Sequence, residues 1–245
     1  MTAPHVVEST APVALRRALN VRHHGHDGND VALGHIDRPS WRGAIHVIGL
    51  AVAIPAVSAL LLLSSTQDAR LRVALGVYAL GLCTMLGVSA TYHRWVHGLR
   101  ARCAWRRADH AAIFAAIAGS STPIVVAALP GTPGFILVAA VWSAALVGAW
   151  CKLSHWAGGD RAGTLMYAVT ILLGVIAVPW LRAREGNGPV ALVLAGGVVY
   201  LVGAVLFVKR WPRLRPSVFS YHEVWHVLTV IAAVAQFVAI WMLAT

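Results

Sequence analysis

His222 and His226 stand four residues apart, and His93 lies in a separate apolar run far upstream. On an α-helix a spacing of four stacks two side chains on one face. Two imidazoles so placed share a zinc ion at the usual Zn–N distance of about 2.0–2.1 Å, and His93 is the natural third ligand. Three protein ligands with water in the fourth position describe a catalytic zinc, whereas a structural site usually fills all four positions. A zinc so held brings the pKa of its water to about 7 and makes hydroxide available at neutral pH.

Two further residues suit the chemistry of such a site. Asp109 would accept a hydrogen bond from the zinc water or act as general base; its plainer reading is a cap on the helix that it opens. Ser89, one turn before His93, would hydrogen-bond the water or an oxyanion; its plainer reading is a contact between helices. The string His222-Glu223-Val224-Trp225-His226 also matches H-E-x-x-H, in which the glutamate is the base of a zinc protease. No His, Asp or Glu follows His226, so the third ligand must come from upstream and a soluble-type protease is disfavoured. Glu223 points about 100° around the helix from His222, which leaves pairing with a loop arginine as its other reading.

The elements that carry these residues are membrane helices. Hydrophobic residues make up 58% of the 245, charged residues only 12%, and the mean hydropathy is +0.70, values of a membrane protein. A formal net charge of +11 raises the possibility of nucleic-acid binding. The basic residues, however, sit in short clusters between long apolar runs, where they orient a membrane protein against an anionic leaflet. Seven candidate spans follow: Gly43–Ser64, Val73–Tyr92, Asp109–Leu129, Gly134–Trp150, Gly163–Leu181, Pro189–Val208 and Val218–Leu243. Each approaches or exceeds the roughly 17–25 residues that cross the hydrocarbon core as a helix. None alternates as an outer-membrane strand would.

In this seven-span arrangement, five Lys and Arg precede the first span, five lie in the second connection, two in the fourth and four in the sixth. The opposite side holds only Arg70, Arg72, Arg182 and Arg184 of the 20. Such an asymmetry puts the N-terminus in the cytoplasm and the C-terminus outside. Trp41, Trp95, Trp105, Trp150, Trp156 and Trp211 then fall at the cytoplasmic interface, and Trp180 and Trp241 at the outer one, the headgroup zone that indole favours. The same topology brings Ser89, His93, Asp109, His222 and His226 to one depth on one side.

The remainder reads more plainly. Residues 1–40 form a polar cytoplasmic tail with a His-containing run at 22–27, followed by a transmembrane domain over 41–245. The tail lacks the pattern of a cleaved signal peptide, so the first span is retained. Cys83, Cys103 and Cys151 are too scattered for a metal or disulfide framework. His46 is expected to bond a neighbouring helix, His97 and His155 to sit in connections, and His110 need not face with Asp109. Pro123 is expected to kink the third helix while Ser120, Ser121 and Thr122 satisfy the freed carbonyls.

Taken in order, Trp41-Arg42-Gly43 with His46, Ser89–His93, Asp109-His110 through Gly119-Ser120-Ser121-Thr122-Pro123, and His222–His226 resemble the hemolysin III family. These are bacterial relatives of the progestin and adipoQ receptors within the CREST superfamily. The resemblance implies a seven-helix fold with a cytoplasmic N-terminus in the bacterial cytoplasmic membrane. It also implies zinc held by His93, His222 and His226, with Asp109 and Ser89 supporting the bound water. Membrane lipid is the implied substrate or ligand, and hydrolysis of a ceramide-like lipid amide the implied activity. Two departures are Ser121, where an aromatic residue is more usual, and the long tail. A receptor using zinc only to tie helices is the alternative function. A pore-forming cytolysin is a weaker one, because the sequence offers no ring of pore-lining charges.

Overall fold

The computed structural model describes residues 39–215 and 217–245. The expected tail and its histidine run at 22–27 therefore lie outside the described residues, apart from Pro39 and Ser40. Among the described residues the chain is all-helical: α1 (Ala44–Leu63), α2 (Ala69–Arg94), α3 (Leu99–Ala128), α4 (Thr132–Leu153), α5 (Gly159–Val175), α6 (Val178–Glu185), α7 (Asn187–Val208) and α8 (Tyr221–Ala244). Because α5 and α6 form one 27-residue segment, Gly159–Glu185, these eight helices make seven segments long and apolar enough to cross a membrane. The expected seven-helix membrane bundle is present.

Element boundaries differ from expectation where charge or proline intervenes. The fifth span is broken at Ile176-Ala177. Pro179 has no N–H to offer the Val175 carbonyl, and the chain tightens there, with Ala177 N donating to Gly174 O at 3.3 Å. At Leu181 N, donating to Ala177 O at 2.9 Å, the α-pattern has resumed. The third helix begins at Leu99, ten residues before the expected Asp109. Its first turns carry Arg100, Arg102, Arg106 and Arg107, which lower local hydropathy without stopping the helix. Asp109 thus lies in the helix interior, and its capping reading falls.

Pro123 does not interrupt α3. The expected satisfaction of its freed carbonyl, that of Gly119, is not what the hydroxyls do. Ser121 Oγ donates to Ile117 O at 2.8 Å and Thr122 Oγ1 to Ala118 O at 2.7 Å, each one turn back. Thr122 Oγ1 in turn accepts from Trp142 Nε1 at 3.1 Å, joining α3 to α4.

Two helices make the centre. About half of the most apolar stretch of α2 (56%) and α3 (50%) is buried, against 17–33% elsewhere; α1, α4, α5, α6 and α8 pack against this pair, and α7 packs on α8. Gly81 and Gly119 bring α2 and α3 together: a Cβ on Gly81 would lie 2.4 Å from the Ala115 carbonyl oxygen. Small residues permit such backbone approach in a membrane, where packing rather than apolar transfer drives association. Leu75 of α2, Val125 of α3, Leu60 of α1 and Ile240 of α8 are fully buried in the resulting core.

Both ends of α1 are tied to α8. At one end Ser65 N donates to Ala244 O at 3.0 Å. At the other, Ser40 N and Trp41 N donate to Ser217 O and Val218 O, each at 3.3 Å. The helices α1 and α8 therefore run parallel, with their N-termini side by side at the end where α2 finishes and α3 begins.

Candidate metal centre

That end of the bundle collects the histidines. The last turn of α2 carries His93, and the first two turns of α8 carry His222 and His226. The start of α8 is set locally by a capping box: Ser220 accepts from the backbone of Glu223, and Ser220 N donates to Glu223 Oε2 at 2.8 Å. This fixes the angular position of His222 and, one turn on, His226.

The three imidazoles are buried and their donor atoms all lie within 4.8 Å of one another. Ring centroids are 4.7 Å apart for His93 and His222, and 4.8 Å for each pair with His226, with interplanar angles of 61–79°. The rings thus form a nearly equilateral triangle of mutually inclined planes. Nε2 of His93 stands 3.3 Å from Nε2 of His222. Two donors at the Zn–N distance that subtend a tetrahedral angle are separated by about 3.3 Å. A direct N–H···N bond also suits that spacing; the third imidazole closing the triangle makes the group a candidate metal donor set. All-nitrogen histidine donors are those zinc takes in three-ligand sites. The residues present fit the ion.

Asp109 reaches the cluster from α3, its Oδ2 3.7 Å from His93 Nε2 and its side chain largely buried. It stands beside the donor set and is not a member of it. Ser89 is buried one turn before His93, on the same face of α2. All five predicted site residues are therefore at this end of the bundle.

Glu223 has a definite place. Its side chain is 1% exposed, Oε2 takes the Ser220 N–H, and Oε1 accepts from Arg42 Nε at 2.7 Å. Both oxygens are engaged away from the histidines, so the pairing with a loop arginine is the reading that holds. Arg42 belongs to the segment that crosses this end ahead of α1. Next to it, Gly43 adopts φ +78°, and a Cβ there would lie 2.8 Å from the Cβ of His93. Arg94 Nη1 adds a bond to Ser40 O at 3.2 Å.

The sequence reading missed one residue. His46, in the first turn of α1, forms no hydrogen bond to a neighbouring helix. Its ring stacks on that of His226, centroids 3.9 Å apart and 9° from parallel. It is 3% exposed, and neither nitrogen has a hydrogen-bond partner among the described residues. An ionisable side chain inside a span marks function by default, and that signal was available. His97 and His155 stay apart: His97 is exposed, and His155 pairs with Arg107 at 2.8 Å. His110 Nδ1 lies 2.7 Å from Arg106 O of its own helix and 3.9 Å from Asp109 Oδ2.

Comparison with known proteins shows the family of the chain. The family model described as haemolysin-III related matches residues 35–237. Hemolysin-3 of Bacillus cereus is 32% identical over 183 residues, covering 74% of this chain and 80% of that protein. The hemolysin-3 homolog of Bacillus subtilis (strain 168) is 28% identical over 193 residues, 78% of this chain and 87% of the relative. A plant protein, the heptahelical transmembrane protein ADIPOR2 of Oryza sativa subsp. japonica, is 31% identical over 182 residues, 67% and 79% of the two chains. The match runs from ahead of Arg42 to past His226 and so contains every element that builds the histidine cluster; the chain belongs to the haemolysin III family.

Proposed function

We propose that this integral membrane protein is a zinc-dependent hydrolase of a lipid amide, ceramide-like in chemistry. The observation that carries the reading is the buried triangle of His93, His222 and His226, with one edge of 3.3 Å and a carboxylate standing beside it. When bound, zinc supplies a Lewis acid and a position where water ionises near neutral pH. Asp109 accepts the hydrogen bond of the attacking water, takes its proton and returns it to the leaving amine nitrogen as the C–N bond breaks. Ser89, buried on the same face as His93, donates its hydroxyl to the water or to the oxyanion. The substrate enters from the bilayer, since the site lies within the ends of α2, α3 and α8. The asymmetry of Lys and Arg supports a cytoplasmic N-terminus and so a cytoplasm-facing site in the bacterial inner membrane.

Purified protein incubated with ceramides and other acyl amides, with and without chelator, tests the reading. Metal-dependent release of fatty acid is expected, and its absence across the panel refutes the hydrolase. The histidines also join α2 to α8, an observation that favours a second function, a receptor whose zinc ties the bundle. In that case chelation loosens the protein without abolishing any turnover.

A further inference from the structure

Burying an imidazole with both nitrogens unpaired costs free energy, because each polar atom gives up water and gains nothing. His46 is such a group, and it is held in place by stacking on His226. It cannot be a fourth ligand to the same ion. Imidazole lone pairs lie in the ring plane, and the two rings are within 9° of parallel at 3.9 Å. An ion in the plane of His226 is thus displaced from the plane of His46 by about one ring thickness, roughly 3.5 Å. His46 therefore stands one layer away from the His226 ring, bringing two unpaired ring nitrogens next to the histidine cluster. A neutral imidazole offers one N–H donor and one bare acceptor, which suits a carbonyl oxygen or an amide N–H.

We propose that His46 is a ligand-binding residue: it hydrogen-bonds the carbonyl or N–H of the amide-type group that occupies the position beside His226. The proposal deepens the hydrolase reading and rests on its metal site, but needs no turnover to be tested. Acetohydroxamate carries a carbonyl and an N–H and binds metals directly, so it serves as the probe. Wild type, His46→Phe and His46→Gln are loaded with Co2+ in detergent, cobalt is counted, and acetohydroxamate is titrated by visible absorption. His46→Phe keeps a stacked ring without nitrogens; it is expected to bind cobalt fully and to weaken acetohydroxamate about tenfold, the loss of one buried hydrogen bond. His46→Gln restores a donor and an acceptor and is expected to recover most of that affinity.

Equal acetohydroxamate affinity in wild type and His46→Phe overturns the proposal, as would cobalt loss in His46→Phe with retention in His46→Gln, since His46 would then serve the metal. A wild-type protein that takes up no cobalt overturns both the metal centre and this inference. Cobalt and acetohydroxamate binding as expected, with no amide hydrolysed, would sink the hydrolase reading alone and leave His46 in its role.

Discussion

Replacing Gly43 by alanine should weaken metal binding without touching a donor. Gly43 has φ +78°, a left-handed conformation that costs an L-residue about 1–2 kcal/mol. The added methyl would also stand 2.8 Å from the Cβ of His93 and 3.3 Å from the backbone nitrogen of Arg94. Neither is the tip of a flexible side chain. Relief to ordinary contact at about 3.5–4.0 Å requires the start of α1 to move from the end of α2 by roughly 0.7–1.2 Å. That displacement is large against the 3.3 Å edge between His93 and His222. Zinc affinity should fall by about 10–100-fold, the usual effect of disturbing the groups that orient a ligand. Gly98→Ala is the control: it has φ +83° but nothing within 4 Å of the new methyl. Each variant should lose thermal stability, by about 2–8 °C for a chain of this size. Only Gly43→Ala should lose zinc in a competition titration against a chromogenic chelator. Wild-type affinity in Gly43→Ala, or equal losses in both variants, would show that the crossing segment does not position His93.

Removing a donor should be more severe: His93→Ala, His222→Ala and His226→Ala are each expected to purify with little zinc by mass spectrometry, and full stoichiometry in all three would refute the site. Asp109→Asn should keep its zinc while amide hydrolysis falls by about 10²–10⁴-fold, the contribution of a positioned general base. Glu223→Gln retains an acceptor for Ser220 N but turns an NH2 toward Arg42, so it should cost about 2–3 kcal/mol in thermal unfolding. Combining it with Arg42→Met should cost less than the sum of the two singles. Unchanged stability in Glu223→Gln together with lost turnover would restore the glutamate as a base.

The membrane spans were legible because the bilayer fixes how many apolar residues a helix needs, and that requirement is local. The histidine pair was legible for a similar reason, since i and i+4 share a face whatever packs against them. His93 could be joined to that pair only through the count of spans, which sets the end of the bundle where each helix starts and stops. What escaped was tertiary. His46 meets His226 only because α1 and α8 lie side by side and parallel, which no periodicity encodes. The true start of α3 escaped because its arginines mimic the end of an apolar run, although charge at a helix terminus is readily solvated. Ser121, where an aromatic residue was expected, lies opposite Gly174, whose Cβ would come 2.6 Å from Ser121 Oγ; the small pair lets α5 approach α3.

Glu223 shows how one string supports two mechanisms until its neighbours are placed. As H-E-x-x-H, the residues 222–226 name the glutamate as a base. As Ser220-x-x-Glu223 ahead of an apolar run, the same glutamate is the far half of a capping box. A carboxylate has two oxygens, and here one takes the Ser220 N–H and the other the Arg42 guanidinium. An oxygen so engaged at 2.7–2.8 Å would have to break a charge-assisted bond before accepting a proton from water. Asp109 lies well inside α3 and so caps no helix terminus. Its carboxylate stands 3.7 Å from a candidate ligand, close enough to act through one water and too far to be a short bond itself. Glu223 and Arg42 therefore hold the start of α8 against the segment leading into α1, and under the proposed hydrolase reading the base is Asp109, 3.7 Å from His93.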